Sequence, residues 1–487
     1  MSGFLPRLLS RRLAQQDNKP ANMKKTLQQI LAMTLALCSL SSVADETPEG
    51  CDGLECLICS AVTDPDQYQG RGMKLMRFIA PGDDRWLFRS SVDLVNEFGI
   101  PPAMQPEFAR LMATFAAKGT HVAIAVQPTR GLMHRDKVRP AQAYGFDYAK
   151  ARASLAKLQR QLRAGGAIVP DMLQVVEQPP QADYFFRRDS HWTPSGAQIT
   201  ARVLADEVKR QPFYAQLSHK AYRTEPGVII PKNGILDMAL ARICNNTFGY
   251  QFVKNYRTIP DSDDASALFE EDADPEVILV GTSNSAARED ETRQYNFDGY
   301  LKEYLGVDIL NFALPGGGQD GALLEYLLSP SYNPDAPPKM LVWELPASYS
   351  LDSPYLYRQL IPAINGGCAK AETLASHSLK RPSLQVNERI ELFSNAGQDR
   401  QSLSNLNGFL DIKIGDTSVK DFYLIVYYDN GARDKVWMRR QAAVSGGQYY
   451  LELSPAAEFK DANLLSVFME PTAPLESATT LEVKVCR

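Results

Sequence analysis

The chain has 487 residues, 44% of them hydrophobic and 22% charged, with a formal net charge of −5. That length holds two or three domains, and the balance is an ordinary globular one that can bury sizeable cores. The acidic excess argues against a dedicated nucleic-acid binder, so no nucleic-acid partner is expected, although a local basic patch on such a protein still suits a polyanionic sugar.

The N-terminus reads as an export signal. Residues 1–22 look like sequence upstream of the true start. Met23-Lys24-Lys25 supplies a basic beginning, and Leu27 to Leu40 is a mostly apolar stretch too short to span a membrane comfortably. Ser42-Val43-Ala44 places small residues at the cleavage positions, which makes 1–44 a signal region, with the signal peptide at 23–44, and Asp45 the mature start. A membrane anchor is the competing reading. A lipoprotein is disfavoured, because Leu37 precedes Cys38 where a small residue is wanted.

Of seven cysteines, Cys38 leaves with the signal peptide, and six remain: Cys51, Cys56, Cys59, Cys244, Cys368 and Cys486. An even number in an exported chain suggests disulfides, with Cys244 expected to pair with one of the N-terminal three. Cys56-Leu57-Ile58-Cys59 can be read as a redox motif, but no strand and helix frame it, and a structural role is favoured. No Cys/His set has metal-ligand spacing, so no metal is expected.

From about residue 60 to 350, strands and helices alternate. Val122 to Val126 is a short apolar strand, and Tyr148 to Leu162 is rich in helix formers. Thr193 to Lys209 reads as a second helix, with Thr193 as N-cap and Pro194 in the first turn. Val277 to Val280, Val307 to Phe312 and Met340 to Trp343 are further apolar strands. The alternation predicts an α/β fold on a mainly parallel sheet.

Near Pro382 the pattern changes to short alternating runs separated by turns such as Asp429-Asn430-Gly431 and Gly446-Gly447. Arg389 to Phe393, Phe409 to Ile414, Phe422 to Tyr428, Tyr449 to Leu453, Leu464 to Met469 and Leu481 to Val485 predict an all-β sandwich. Cys368 and Cys486 bracket this region, and a bridge between them would close it. The expected boundaries are 45–365 for the α/β domain and 366–487 for the β-module. On one strand of the module, Lys435, Trp437, Arg439 and Arg440 form a basic and aromatic cluster. A ring can stack on sugar faces and an Arg can pair with carboxylates, but a core tryptophan beside a solvated basic face is the plainer reading. Tyr427, Tyr428, Tyr449 and Tyr450 are expected to divide between core and surface.

Three loops carry the chemistry. Gly281-Thr282-Ser283-Asn284-Ser285 follows the strand at Val280, at the sheet end where open α/β folds place their sites. Asp189-Ser190-His191 puts a carboxylate and an imidazole two residues apart, on one side of an extended segment just before a helix; the carboxylate fixes the tautomer and supports the imidazolium. Asn311 to Gln319 holds Gly316-Gly317-Gly318, where backbone amides can approach an oxyanion. A phosphate loop is disfavoured there, since no Lys-Ser/Thr follows the glycines.

Together these motifs resemble SGNH-type hydrolases and acyltransferases. The order is reversed, with Asp189-x-His191 before Gly281-Thr282-Ser283, and Thr282 stands where ordinary members carry Asp. Both features are similar to the permuted AlgX/AlgJ family of polysaccharide O-acetyltransferases. Gly82-Asp83-Asp84-Arg85-Trp86-Leu87-Phe88 and Trp343-Glu344-Leu345-Pro346 add to the resemblance, as does a C-terminal β-module like the carbohydrate-binding module of the family's AlgX branch. The resemblance implies Ser283 as nucleophile, His191 as general base and acid, and Asp189 as orienting carboxylate, with Ser285 a rival nucleophile. Gly316 or Gly317, with the Ser283 amide, are candidate oxyanion donors on chemical grounds, and Asn311 a candidate substrate contact. The implied activity is periplasmic O-acetylation of mannuronate hydroxyls in alginate through an acetyl-serine, with no cofactor and an acetyl donor left open. The implied partners are alginate or polymannuronate and a secretion complex with a periplasmic repeat scaffold and an outer-membrane exporter. An acetylesterase and a non-catalytic polysaccharide-binding scaffold are the alternatives.

Overall fold

The computed structural model describes residues 57–261, 275–398, 400–404, 408–454 and 456–487. The signal region, Cys51 and Cys56 lie outside the described residues.

In the α/β domain, β1 (Ile79–Pro81) and β2 (Leu87–Arg89) pair antiparallel around the Gly82–Phe88 motif. The central sheet is four parallel strands, β3 (His121–Gln127), β6 (Val277–Val280), β7 (Leu310–Asn311) and β8 (Met340–Pro346), in the order β3-β8-β6-β7. All of β6 and β8, and all of β3 except His121, is buried, as expected of parallel strands covered on both faces. The covering helices include α1 (Gln105–Ala117), α2 (Tyr148–Ala164), α3 (Pro194–Lys209), α5 (Phe297–Leu305), α6 (Gly321–Leu328) and α7 (Pro354–Ile364). Thr193 caps α3, its Oγ1 accepting from the Gly196 amide at 3.2 Å, with Pro194 in the first turn. The expected strand over Val307 to Phe312 shrinks to Leu310–Asn311, and Val307 pairs instead with His219 in an isolated antiparallel bridge.

One insertion was not legible in the sequence. The antiparallel hairpin β4 (Tyr222–Lys232) and β5 (Gln251–Pro260) encloses α4 (Ile235–Cys244), and Cys59 is disulfide-bonded to Cys244 at the end of that helix. That bond gives the Cys56-x-x-Cys59 segment a structural half.

The module is a sandwich of two antiparallel sheets, β10-β15-β12-β13 and β14-β11-β16-β9, with its own apolar core. Its strands are β9 (Thr373–Arg381), β10 (Ile390–Ser394), β11 (Phe409–Ile414), β12 (Asp421–Tyr428), β13 (Arg433–Arg439), β14 (Gln448–Glu452), β15 (Leu464–Pro471) and β16 (Thr479–Cys486). Cys368 and Cys486 are disulfide-bonded at its root. Tyr428 and Tyr449 are buried while Tyr427 and Tyr450 are half-buried, the alternation a pleated strand imposes.

Candidate active site

The loop before α3 and the turn after β6 meet. His191 Nε2 lies 2.8 Å from Ser283 Oγ, and His191 Nδ1 is hydrogen-bonded to Asp189 Oδ1. With Asp189 ionised, Nδ1 carries the proton and Nε2 is free to accept from the serine hydroxyl.

Asp189 is buried and held from three sides. Its Oδ1 accepts the His191 amide at 3.0 Å, its Oδ2 accepts the Ile235 amide of α4 at 2.9 Å, and Lys232 Nζ of β4 lies 3.5 Å from Oδ1. Burial alone pushes this carboxyl up, but the imidazole, Lys232 and the Ile235 amide together hold it well below the usual range. Burial and the cations Lys232 and Arg288 keep the His191 imidazole below its ordinary value, against the opposing pull of Asp189. Lys232 also donates to Tyr295 Oη at 2.6 Å. The close approach of α4 needs Gly234, where a Cβ would stand 1.9 Å from the Arg188 carbonyl oxygen.

A buried arginine clamps the loop carrying Asp189. Arg130 donates to the carbonyls of Leu87, Phe186, Arg187 and Asp189 and pairs with Asp93 at 3.2 Å. Trp86, from the Gly82–Phe88 motif, is fully buried and lies against His134 with ring centroids 4.0 Å apart. That motif therefore builds the floor behind the loop.

The serine turn rests on a carboxylate. Glu344 Oε2 accepts from the Thr282 amide at 2.6 Å, Thr282 Oγ1 at 2.9 Å and Ser285 Oγ at 3.2 Å. A Cβ on Gly281 would fall 2.7 Å from the same oxygen. Burial pushes the Glu344 carboxyl up to about 7. Ser285 faces this brace, away from His191, which leaves Ser283 as the serine on the imidazole. Trp192 holds the other side of the turn, donating from its amide to Asn284 Oδ1 at 3.1 Å and from Nε1 to the Asn284 carbonyl at 2.9 Å. No α-helix begins at this turn; the next one along the chain is α5.

The comparisons with known proteins fit this geometry. A family described as SGNH hydrolase-like domain, acetyltransferase AlgX, matches residues 79–347, and a C-terminal carbohydrate-binding module matches residues 367–487. The chain belongs to the AlgX family. The alginate biosynthesis protein AlgX of Pseudomonas fluorescens is 31% identical over 94% of this chain and 94% of its own, and that of Azotobacter vinelandii is 31% identical with the same coverage. The solved structure of Pseudomonas aeruginosa AlgX matches with a TM-score of 0.77 at 29% identity, covering 88% of this chain and 99% of that one.

Within this AlgX-family site, the glycine loop does not stand where the sequence suggested. The Gly317 amide is already spent on the Leu314 carbonyl at 3.1 Å. Gly316 and Gly317 line a cleft with Arg439, Arg440 and Ala442 of the module, whereas the pocket at Ser283, about 80 Å³, is walled by residues such as Gln127, Thr129, Ser190, Thr282 and Tyr349. Asn311 is likewise occupied: its Nδ2 donates to the Ser285 carbonyl at 2.8 Å and its Oδ1 accepts the Ala313 amide at 2.9 Å, so it supports the turn. Sequence reasoning missed Gln127. It is buried, its Oε1 accepts from Asn284 Nδ2 at 3.3 Å, and its Nε2 has no acceptor among the described residues. A polar residue ending an otherwise apolar strand was the available signal.

On the module, Lys435, Trp437 and Arg439 share the outer face of β13, and Trp437 is 44% exposed. Trp437 stacks on Tyr423 at 5.7 Å, Arg439 lies over the Trp437 ring at 4.8 Å, and Lys435 over the Tyr423 ring at 4.3 Å. The plain reading of Trp437 as a core residue is therefore wrong. Arg440 is a correction in the other direction. It falls just past the strand, turned toward the α/β domain, where it donates to Gln359 Oε1 at 2.8 Å and to the Gln448 carbonyl at 2.9 Å.

Proposed function

We propose that this protein is an exported serine O-acetyltransferase that moves acetyl groups onto mannuronate hydroxyls of alginate. The observation that carries the reading is the Asp189–His191–Ser283 relay, on a chain that also bears a carbohydrate-binding module. The alginate context comes from its relatives, named for alginate biosynthesis.

Ser283 Oγ attacks the acetyl carbonyl of the donor while His191 Nε2 takes its proton. The tetrahedral oxyanion is met by the Ser283 amide and by Gln127 Nε2, a donor left without an acceptor in the resting site. Collapse expels the donor's leaving group, which takes the proton from His191, and leaves acetyl-serine. A sugar hydroxyl then gives its proton to His191 and attacks; collapse frees the acetylated sugar and returns the proton to Ser283. A pocket of about 80 Å³ suits a group as small as acetyl.

Two disulfides among the described residues support an oxidising compartment, and with the signal region we place the protein in the periplasm. There we propose that it works with the alginate secretion complex, beside a repeat scaffold and an outer-membrane exporter. The test uses the purified mature protein, polymannuronate and a chromogenic acetyl ester, with mass spectrometry of the sugar. Acetylated polymer is expected, and Ser283→Ala should abolish it while retaining polymer binding. Ester hydrolysis without acetylated sugar would favour an esterase, and full transfer by Ser283→Ala would overturn the nucleophile.

A further inference from the structure

A second hollow opens beside the Ser283 pocket. Its volume is about 680 Å³, and its walls are the loop Asn96–Pro101, one face of α2 and residues Ser348–Ser350. Ser348 and Tyr349 also line the Ser283 pocket, so the two cavities share a wall.

The hollow is cationic. Helix α2 carries five basic residues, and two of them serve the fold: Arg152 pairs with Glu177, and Arg163 donates to the Val169 carbonyl at 3.0 Å. The other three, Lys150, Lys157 and Arg160, are exposed and face the hollow. Among the described residues Lys150 has one ion pair, a long one to Asp147 at 3.9 Å, and no ion pair holds Lys157 or Arg160. Glu97 is the one carboxylate on the walls. The walls are fixed in advance. The Gln161 amide holds both the N–H and the carbonyl of Ile100 at 2.9 Å, and Asn96 bridges the Gly145 carbonyl and the Asp147 amide at 2.7 Å each.

At a rise of about 1.5 Å per residue, the cations at 150, 157 and 160 spread over roughly 15 Å, which suits repeated carboxylates on a chain better than one small anion. The strand order β3-β8-β6-β7 adds direction. Ser283 follows β6, so its turn lies between the loop after β8, which forms this hollow, and the loop after β7, which meets Arg439 and Arg440 of the module. The hollow and the module-facing cleft thus flank the serine on opposite sides.

Resting on the functional reading above, we propose that this hollow is a second uronate-binding subsite, in which Lys150, Lys157 and Arg160 hold carboxylates of the acceptor polysaccharide on the side of Ser283 away from the module. The full-length chain carrying K157A/R160A, and separately K157E/R160E, is assayed with polymannuronate as acceptor and a neutral acetyl ester as donor. The acceptor KM should rise about fivefold for the neutral pair and further for the reversed pair, and its dependence on salt should weaken. Hydrolysis of the ester alone, which is too small to reach the hollow, should stay within twofold and reports an intact fold. An unchanged acceptor KM would overturn the subsite, as would a change confined to the KM of an anionic acetyl donor. Titration of polymannuronate against the same pairs in a Ser283→Ala background separates the two readings: if the parent chain acetylates no polymer yet these pairs weaken binding, the subsite stands and the transferase reading falls.

Discussion

The charge beside the triad sets when it can work. In the proposed mechanism His191 must be neutral to take the serine proton, and burial with Lys232 and Arg288 holds its pKa below 6.5. The acid limb of kcat/KM for ester hydrolysis is therefore expected below pH 6.5, with activity lost as pH falls through the lowered value. Lys232→Gln removes a cation that disfavours the imidazolium, so the limb should move to higher pH; an unmoved limb would show that Lys232 only packs. Gln127→Ala takes away a proposed oxyanion donor and should lower kcat by about a hundredfold with little change in KM. Glu344 answers to pH with the opposite sign. Its folded pKa of about 7 lies above the ordinary 4.5, because burial favours the neutral acid. The stability this gives is complete below pH 4.5 and is lost as pH rises through about 7. Melting temperatures of the parent and Glu344→Gln should thus diverge across that window, and parallel curves would refute the assignment.

At the scale of elements, the sequence showed what periodicity and capping can show. The buried parallel strands are apolar on both faces, and Thr193-Pro194 marks the start of α3, so both were legible, as was the Asp189–His191 pair in front of that helix. The hairpin β4–β5 was not, because each strand has only one buried residue, its register slips between Pro226 and Ile229, and Pro226, Gly227 and Pro231 resemble a loop. Strand β9 was missed for a similar reason, being largely exposed at a sheet edge. The cost of that blindness was functional, since the hairpin and α4 deliver Lys232 and the Ile235 amide to Asp189. Partners so far apart in the chain leave no local signal. The contact also yields an element-scale prediction. Gly234→Ala places a methyl against the Arg188 carbonyl and must push α4 off the Asp189 loop. Overpacking of this kind costs about 1–3 kcal/mol. Both the melting temperature and kcat should fall, and a loss of stability with kcat intact would mean that the Ile235 amide is dispensable.

The two domains share a polar seam, and this governs how their labour can be tested. Arg358 of α7 pairs with Asp434 of β13 at 2.6 Å and donates to the Glu452 carbonyl at 2.7 Å; Arg110 of α1 pairs with Glu452 at 2.7 Å; and Glu325 accepts the amides of Val444 and Ser445 at 3.0 and 2.8 Å. Arg358 and Asp434 are both buried, so Asp434→Ala, which strands the arginine, should cost about 3–5 kcal/mol of stability. Deleting the chain from about residue 383, where the sequence pattern changes, would strand the same arginine and leave β9 without its partner β16. Lost activity in such a truncation would therefore report a damaged fold as readily as a lost binding site. The outer face of β13 offers a cleaner cut, because Lys435, Trp437 and Arg439 point away from the module core. Trp437→Ala removes a stacking surface, and K435A/R439A removes charge. If the module holds a polyuronate chain while Ser283 reacts, tethering raises the local acceptor concentration, and each change should raise the acceptor KM for long chains more than for short ones. Small-ester hydrolysis should stay at the parental level. High salt should shrink the defect of K435A/R439A and spare that of Trp437→Ala, since screening weakens charge pairing and leaves stacking in place. Equal loss of ester and polymer turnover in a folded Trp437→Ala protein would tie this face to the catalytic step itself, and unchanged polymer binding in both variants would remove it from the recognition surface.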